Sequence, residues 1–221
     1  MKLLLEALIK FTCGMLLVGL LLFLPAGTFG YTYGWLLVGL LFGPMLIAGF
    51  VMLFKSPELL KKRLDAKEKQ GTQKGVVAIS GLMFIVGFVV AGLDFRFGWS
   101  AMPAWVVVAA SVVFLVAYAL YAEVMRENAY LSRTIKVEKG QTVVDTGMYG
   151  VIRHPMYAVT ILLFLMIPLV LGSMYALIAF GFYPAMIVVR LKDEENLLIR
   201  ELPGYAAYMQ KVKYRIIPYI W

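Results

Sequence analysis

The chain reads as an all-α polytopic transmembrane helix bundle of five to six spans, on three observations. It is 62% hydrophobic and only 15% charged, against roughly 25% charged residues in soluble domains. Its mean hydropathy is +0.84. Its apolar residues also fall in runs long enough to cross a hydrocarbon core about 30 Å thick. The 221 residues suit one compact membrane domain with no separate soluble one.

The first span is expected to begin near Ala7, after Lys2 and Glu6, and to run through Phe11–Leu24. Its positive flank mimics a secretory signal, but Pro25-Ala26-Gly27 is a poor cleavage site and further spans follow. A short aromatic turn at Gly27–Gly34 leads into a second span, Trp35–Phe54, where Pro44 is a candidate kink. The polar connection Lys55–Lys74 carries seven Lys/Arg against three acids. Ser56-Pro57-Glu58 has the form of a helix start: cap, proline at the first position, acid in the first turn. Leu59, Leu60 and Leu64 then give one apolar edge, which predicts a short helix lying on the interface; a solvated or partner-binding helix fits the same pattern.

The third span is expected over Val76–Leu93, a loop over Asp94–Ser100, and the fourth span over Ala101–Ala122, continuing as a helix past Glu123. Ser132–Thr146 is polar and β-branched and reads as an irregular or hairpin-like connection, since a sheet edge cannot face lipid. Tyr157–Val189 holds no charge, with Gly172-Ser173 at its middle. Two helices of about 15 residues rise only ~22 Å each, so a tight hairpin is expected, its second helix extending past Arg190 to about Arg200. Pro203-Gly204 ends it, and an aromatic-basic tail follows. This divides the chain into N-terminal membrane helices (1–125, with the loop 55–74) and a C-terminal region (126–221, with the membrane hairpin 157–189).

Charge orients this layout. With six spans, one side carries 20 Lys/Arg and the other only Arg96. The positive-inside rule makes the basic side cytoplasmic, and with it both termini. The net charge of +8 fits a surface facing anionic lipid. No nucleic-acid-binding module is recognisable. With one cysteine, Cys13, and one histidine, His154, neither an internal disulfide nor a metal site is expected.

That histidine lies in Gly147-Met148-Tyr149-Gly150-Val151-Ile152-Arg153-His154-Pro155-Met156-Tyr157, where a charged segment meets the hairpin. Pro155 suits a first helical turn, and the residue before it is pushed to extended backbone. Imidazole, guanidinium and the phenols of Tyr149 and Tyr157 would gather at a helix N-terminus, which attracts negative groups. A basic juxtamembrane turn with interfacial tyrosines is the plainer account. A second polar group follows the hairpin: Arg190, Lys192, Asp193, Glu194 and Glu195, with Arg190 and Glu194 sharing a helix face at i,i+4. It reads either as a surface ion pair or as an anion-binding arginine and a carboxylate at a cavity mouth.

Gly147-x-Tyr149-x-x-x-Arg153-His154-Pro155-x-Tyr157, a hydrophobic hairpin, Glu194-Glu195-x-x-Leu198, then Tyr205-x-x-Tyr208 and Pro218 resemble the isoprenylcysteine carboxyl methyltransferase family, whose wider group includes phospholipid methyltransferases. The resemblance covers roughly residues 128–218. It implies an integral membrane enzyme that uses S-adenosylmethionine and methylates a lipophilic acceptor. By position, it implies that Tyr149, His154, Pro155, Met156 and Tyr157 line the cofactor pocket, with Glu194. The strip Gln141-Thr142-Val143-Val144 falls where the family wraps the cofactor, with Gln141 in place of a histidine. Arg190 would face the acceptor, which makes Arg190 and Glu194 the candidate catalytic pair.

The chemistry is consistent with that role. A carboxylate acceptor is already ionised and needs only to be held, as an arginine can. An amine or thiol needs a base, for which Glu194, Glu195 and His154 are candidates. A lipophilic acceptor is expected to arrive sideways from the bilayer, between the last hairpin and the fourth span. Two alternatives remain: a relative of membrane sterol-type reductases using a nicotinamide cofactor, and a non-enzymatic scaffold or carrier.

Overall fold

The computed structural model describes residues 2–65, 71–132 and 134–221. The expected connections 55–74 and 132–146 therefore lie partly outside the described residues, at 66–70 and 133. Among the described residues the elements are α1 (Lys2–Ala26), α2 (Thr32–Lys55), α3 (Pro57–Leu64), α4 (Gly71–Phe97), α5 (Ala104–Glu127), a 3-10 turn at Gly147–Gly150, α6 (Pro155–Val170), α7 (Met174–Phe180), α8 (Tyr183–Glu201) and α9 (Tyr205–Lys211). There is no strand among them, and the segment after α5 is irregular as expected.

Five helical stretches are long and apolar enough to cross a membrane: α1, α2, α4 from Gln73, α5, and α7 with α8 as one unit from Met174 to Glu201. The fold is thus an all-α polytopic bundle. α6 has 16 residues, about 24 Å, and completes the hairpin as a shorter arm. Gly172, at φ +70°, makes the reversal. The Ser173 hydroxyl then accepts a hydrogen bond from the Ala176 N–H at 3.1 Å and caps α7.

Three boundaries differ from expectation. α1 begins at Lys2 rather than Ala7, because the Glu6–Lys10 pair at i,i+4 continues the helix into the polar flank. α4 runs to Phe97, through the expected loop. The second hairpin arm breaks at Gly181-Phe182 into α7 and α8.

α4 is the central strut. Its glycines let neighbours approach closely, as small residues do between membrane helices. A Cβ on Gly92 would stand 2.5 Å from the Leu22 carbonyl of α1, and one on Gly87 would stand 2.4 Å from the Phe180 ring of α7. At its far end Asp94 is buried. Its carboxyl accepts from the Ser100 N–H at 2.7 Å, from the Ser100 hydroxyl, and from the Ser173 hydroxyl at 2.5 Å. One side chain thus ties α4, the loop before α5 and the cap of α7. Tyr31 adds a second tie there, its hydroxyl donating to the Leu171 carbonyl at 2.6 Å.

At the opposite end α3 does not lie free. The Ser56 side chain makes no cap. Lys62 donates to Glu138 at 2.6 Å and to the Ala129 carbonyl at 3.2 Å, and Arg63 donates to the Tyr121 hydroxyl. Lys62 and Arg63 therefore turn inward onto α5 and the segment after it, while Lys61 stays exposed.

Replacing Asp94 by alanine leaves buried hydroxyl and N–H groups without their acceptor. Detergent-solubilised Asp94→Ala should lose about 1–3 kcal/mol of stability, seen as a lowered melting temperature, and Asp94→Asn should recover part of it.

Candidate functional site

The site forms where α6 and α8 end in polar sequence and the C-terminal tail folds back on them. Pro155 starts α6, and His154 before it sits at φ −127°, ψ 60°, outside the helical region as a residue preceding proline should be. Its N–H is free to leave the helix and donates to the Arg215 carbonyl at 2.9 Å, while the Arg153 N–H donates to the Tyr214 carbonyl at 2.8 Å. These bonds lay the tail beside residues 152–154, with one parallel bridge between Ile152 and Tyr214. Upstream, Gly147 holds φ +54°, and a Cβ there would meet the Glu127 carboxyl at 2.8 Å. Glycine is what that turn admits.

Glu195 is the hub. It is buried, with a side chain 5% exposed. Its Oε1 accepts from Arg153 Nε at 2.7 Å and lies 3.3 Å from His154 Nε2; its Oε2 accepts from Arg215 Nε at 2.9 Å. Arg153 also donates to the Val212 and Lys213 carbonyls, both at 2.9 Å. A buried charge is tolerated only when paired and hydrogen-bonded; here α8, the start of α6 and the tail meet that requirement together.

One residue earlier, Glu194 faces a different set of partners. The Tyr157 hydroxyl donates to Glu194 Oε2 at 2.5 Å and accepts from Arg190 Nε at 3.2 Å. Tyr157 thus stands between the two residues expected to share a face. Arg190 Nη1 donates to Gln73 Oε1 at 3.1 Å, and Gln73 Nε2 donates to Asp193 Oδ2 at 2.8 Å. Gln73 is fully buried and holds Arg190 from the neighbouring helix α4.

These groups surround a cavity of about 480 Å³, within the range of small-molecule sites. Gln141, Thr142, Val143, Val144, Tyr149, His154, Met156, Tyr157, Arg190 and Glu194 all line it; Pro155, packed at the first turn of α6, does not. The Gln141 side chain is turned back, its Oε1 accepting from the Glu138 N–H at 2.9 Å, so it closes its own turn. Toward the membrane the wall becomes apolar: Val77, Gly81 and Phe84 of α4, Phe164 of α6, and Tyr183 and Ile187 of α8. The access route expected between the hairpin and the fourth span is therefore corrected. α5 packs along α6 and closes that side, and the cavity is bounded by the third span, α4. There Gly81 is exposed, and a Cβ on it would meet nothing within 4 Å.

The tail tyrosines are not simply interfacial anchors. Tyr205 and Tyr208 are buried and line the cavity. Tyr208 donates to the Tyr149 carbonyl at 2.7 Å. The Tyr205 hydroxyl is buried with no hydrogen-bond partner among the described residues. Burial raises the phenols of Tyr149, Tyr205 and Tyr208 above their ordinary value, and the charges of Glu195 and Glu194 raise Tyr205 further. All three remain neutral at physiological pH, so each phenol keeps its O–H as a donor.

Residues 102–200 match the isoprenylcysteine carboxyl methyltransferase (ICMT) family. This is the family the motifs resemble. The matched region runs from the start of α5 to the end of α8 and holds Arg153-His154-Pro155 and Glu194-Glu195. The ICMT match supports a membrane methyltransferase. Outside it lie Gln73 and the wall of α4 on one side, and Tyr205, Tyr208 and Arg215 on the other.

Gln73 and Arg215 were not singled out as site residues, and Glu195 was considered only as a candidate base rather than as a structural hub. Gln73 gives no signal, being one amide near the start of a span. Glu195 sits beside Glu194 in sequence, and only the pairing with Arg153, 42 residues away, separates their surroundings. The Tyr205-x-x-Tyr208 spacing was a usable signal for the tail.

Glu195→Ala leaves Arg153 buried without its carboxylate. Such a loss costs about 3–5 kcal/mol, so the variant should melt well below the wild type, with Glu195→Gln between the two. Circular dichroism melts in detergent check the order.

Proposed function

We propose that this protein is an integral membrane methyltransferase that takes its methyl group from S-adenosylmethionine and places it on the carboxylate of a lipophilic acceptor. The observation that carries the reading is the polarity of the cavity between α4, α6 and α8. Its upper part joins Arg190, Glu194, Tyr157, His154 and Tyr205, while its lower part is apolar and borders the exposed Gly81 side of α4.

The residues present fit the cofactor. A polar, nucleoside-sized molecule needs donors, acceptors and aromatic surface. The strip 141–144, Tyr149 and Tyr205 supply these, and the buried Tyr205 hydroxyl has no partner among the described residues, an arrangement that costs free energy unless a ligand completes it. Glu194 offers a carboxylate to its cationic groups. The bound cofactor contributes an electrophilic methyl on a sulfonium, and the protein positions and desolvates the partners.

Arg190 is the acceptor's anchor. Its guanidinium is held by Tyr157 on one side and Gln73 on the other, which orients it for a charge-assisted contact with a carboxylate. The transfer balances without a base: the carboxylate oxygen–methyl bond forms, the sulfur–methyl bond breaks with its electron pair left on sulfur, and no proton is released. The acceptor reaches the site from the bilayer past Gly81.

The site and both termini lie on the cytoplasmic side in this reading. The N-terminal part of α1 and the end of α3 share one end of the bundle, where Lys10 Nζ donates to the Leu64 carbonyl at 2.8 Å. The basic excess of the chain supports placing that end in the cytoplasm.

Calorimetry with S-adenosylhomocysteine on detergent-purified protein tests the cofactor. The wild type should bind with micromolar affinity. His154→Ala and Glu194→Ala should lose about tenfold or more, the cost of a charge-assisted contact. Tyr205→Phe should lose about three- to tenfold without lowering the melting temperature of the ligand-free protein. Absence of binding, with binding of a nicotinamide nucleotide instead, would overturn the proposal.

A further inference from the structure

The floor of the cavity is a row of aromatic rings. Phe84 of α4 meets Phe164 of α6 edge to face, centroids 4.9 Å apart, and Phe164 meets Tyr183 of α8 at 4.7 Å. All three rings line the cavity. Behind them Phe180 is fully buried, 5.4 Å from Phe84 and 5.9 Å from Phe88. Gly87 gives Phe180 its place, since a Cβ there would stand 2.4 Å from the ring. The row is thus packed from behind, and such a core yields little to a pushing ligand. It also bridges α4 and α6, which meet here mainly through side chains.

The depth above this floor follows from helix geometry. Tyr157 and Phe164 are seven residues apart on α6, and Tyr183 and Arg190 are seven residues apart on α8. At 1.5 Å per residue, both give about 10 Å from the Tyr157–Arg190 contact down to the rings. An extended chain with bonds near 1.5 Å fits about eight carbons into that depth. The cavity must also hold the methyl donor, so little volume is left for a longer chain to coil.

We propose that Phe84, Phe164 and Tyr183 form a length stop that selects acceptors whose enclosed apolar part is short, of about eight carbons. The inference rests on the methyltransferase reading and on Arg190 as anchor of the acceptor's carboxylate, and it narrows the acceptor to a small lipophilic acid. Of the three rings, Phe84 lies outside the matched region 102–200 and Phe164 and Tyr183 lie inside it.

The test is binding of tritiated straight-chain carboxylic acids, from about six to about sixteen carbons to bracket the stop, to protein in nanodiscs saturated with S-adenosylhomocysteine. Saturable binding is measured as the part displaced by excess unlabelled acid. Each added methylene inside an apolar site strengthens binding by about fourfold. In the wild type that gain should continue to about eight carbons and then stop or reverse. Phe84→Ala should move the break by at least two carbons, about the depth a ring occupies. Phe164→Leu, which keeps more of the packing, should move it by less. Affinity for S-adenosylhomocysteine should be unchanged in both.

Affinity that keeps rising past the predicted break in the wild type would overturn the stop, showing that tails leave sideways past Gly81. A break that stays in place in a folded variant, or no saturable binding at any length, would overturn it as well. The nucleoside arm is read separately. Failure of S-adenosylhomocysteine to bind sinks the methyltransferase reading, whereas binding with a flat length profile sinks only the length stop.

Discussion

The arrangement depends on one buried carboxylate. Glu195 takes hydrogen bonds from Arg153 and Arg215 and lies against His154, so a single side chain of α8 fixes the start of α6 and the C-terminal tail. Water is largely excluded from the cluster, and an ion there is costly unless every charge is answered. That cost acts as a specification. A buried ion pair is weak grounds for expecting net stability, but an unanswered one is strongly penalised, so alternative packings of these three segments are disfavoured. The backbone bonds from Arg153 and His154 to Tyr214 and Arg215 then hold the strand-like edge on which the histidine sits. Tyr205 and Tyr208 are brought to the cavity by the same returning tail.

The helical architecture was legible because lipid imposes it. Uncharged runs of some twenty residues have few alternatives in a bilayer. Pro155 and the Gly172-Ser173 reversal marked both ends of α6 from chemistry local to those residues. The residues around the cavity were legible too, where spacing along one helix or one motif carried them, as with Arg190 and Glu194. What spacing does not carry is contact between distant segments. Gln73 reaches Arg190 across 117 positions, and Asp94 reaches Ser173 across 79. A loop was expected at Asp94 because a carboxyl beside an apolar run looks like the end of a span. It stays inside the helix because two serines from elsewhere answer it. The access route was misplaced for a related reason: which helix closes which side of a cavity is set by packing, and no single helix encodes it.

The cavity also shows why both halves of the chain are needed at one site. The polar part is supplied by the motifs of the C-terminal region, where helices α6 and α8 meet water. The apolar part is supplied largely by α4, whose Val77, Gly81 and Phe84 complete a wall that α6 and α8 leave open. A reaction between a polar donor and a lipophilic acceptor requires such a boundary, because each reactant is soluble on only one side of it. Binding both in one dry space converts an encounter across an interface into a reaction between fixed neighbours.

Arg190 sits at that boundary, and its neighbours explain how it can serve there. A free arginine at the edge of the hydrocarbon would snorkel toward water. Here the Tyr157 hydroxyl accepts one N–H and the Gln73 amide oxygen another. Asp193 is engaged by the Gln73 amide, and Glu194 is engaged by the Tyr157 hydroxyl. These contacts orient the guanidinium within the polar part of the cavity. Gln73 and Tyr157 matter to the site for this reason as much as the arginine does.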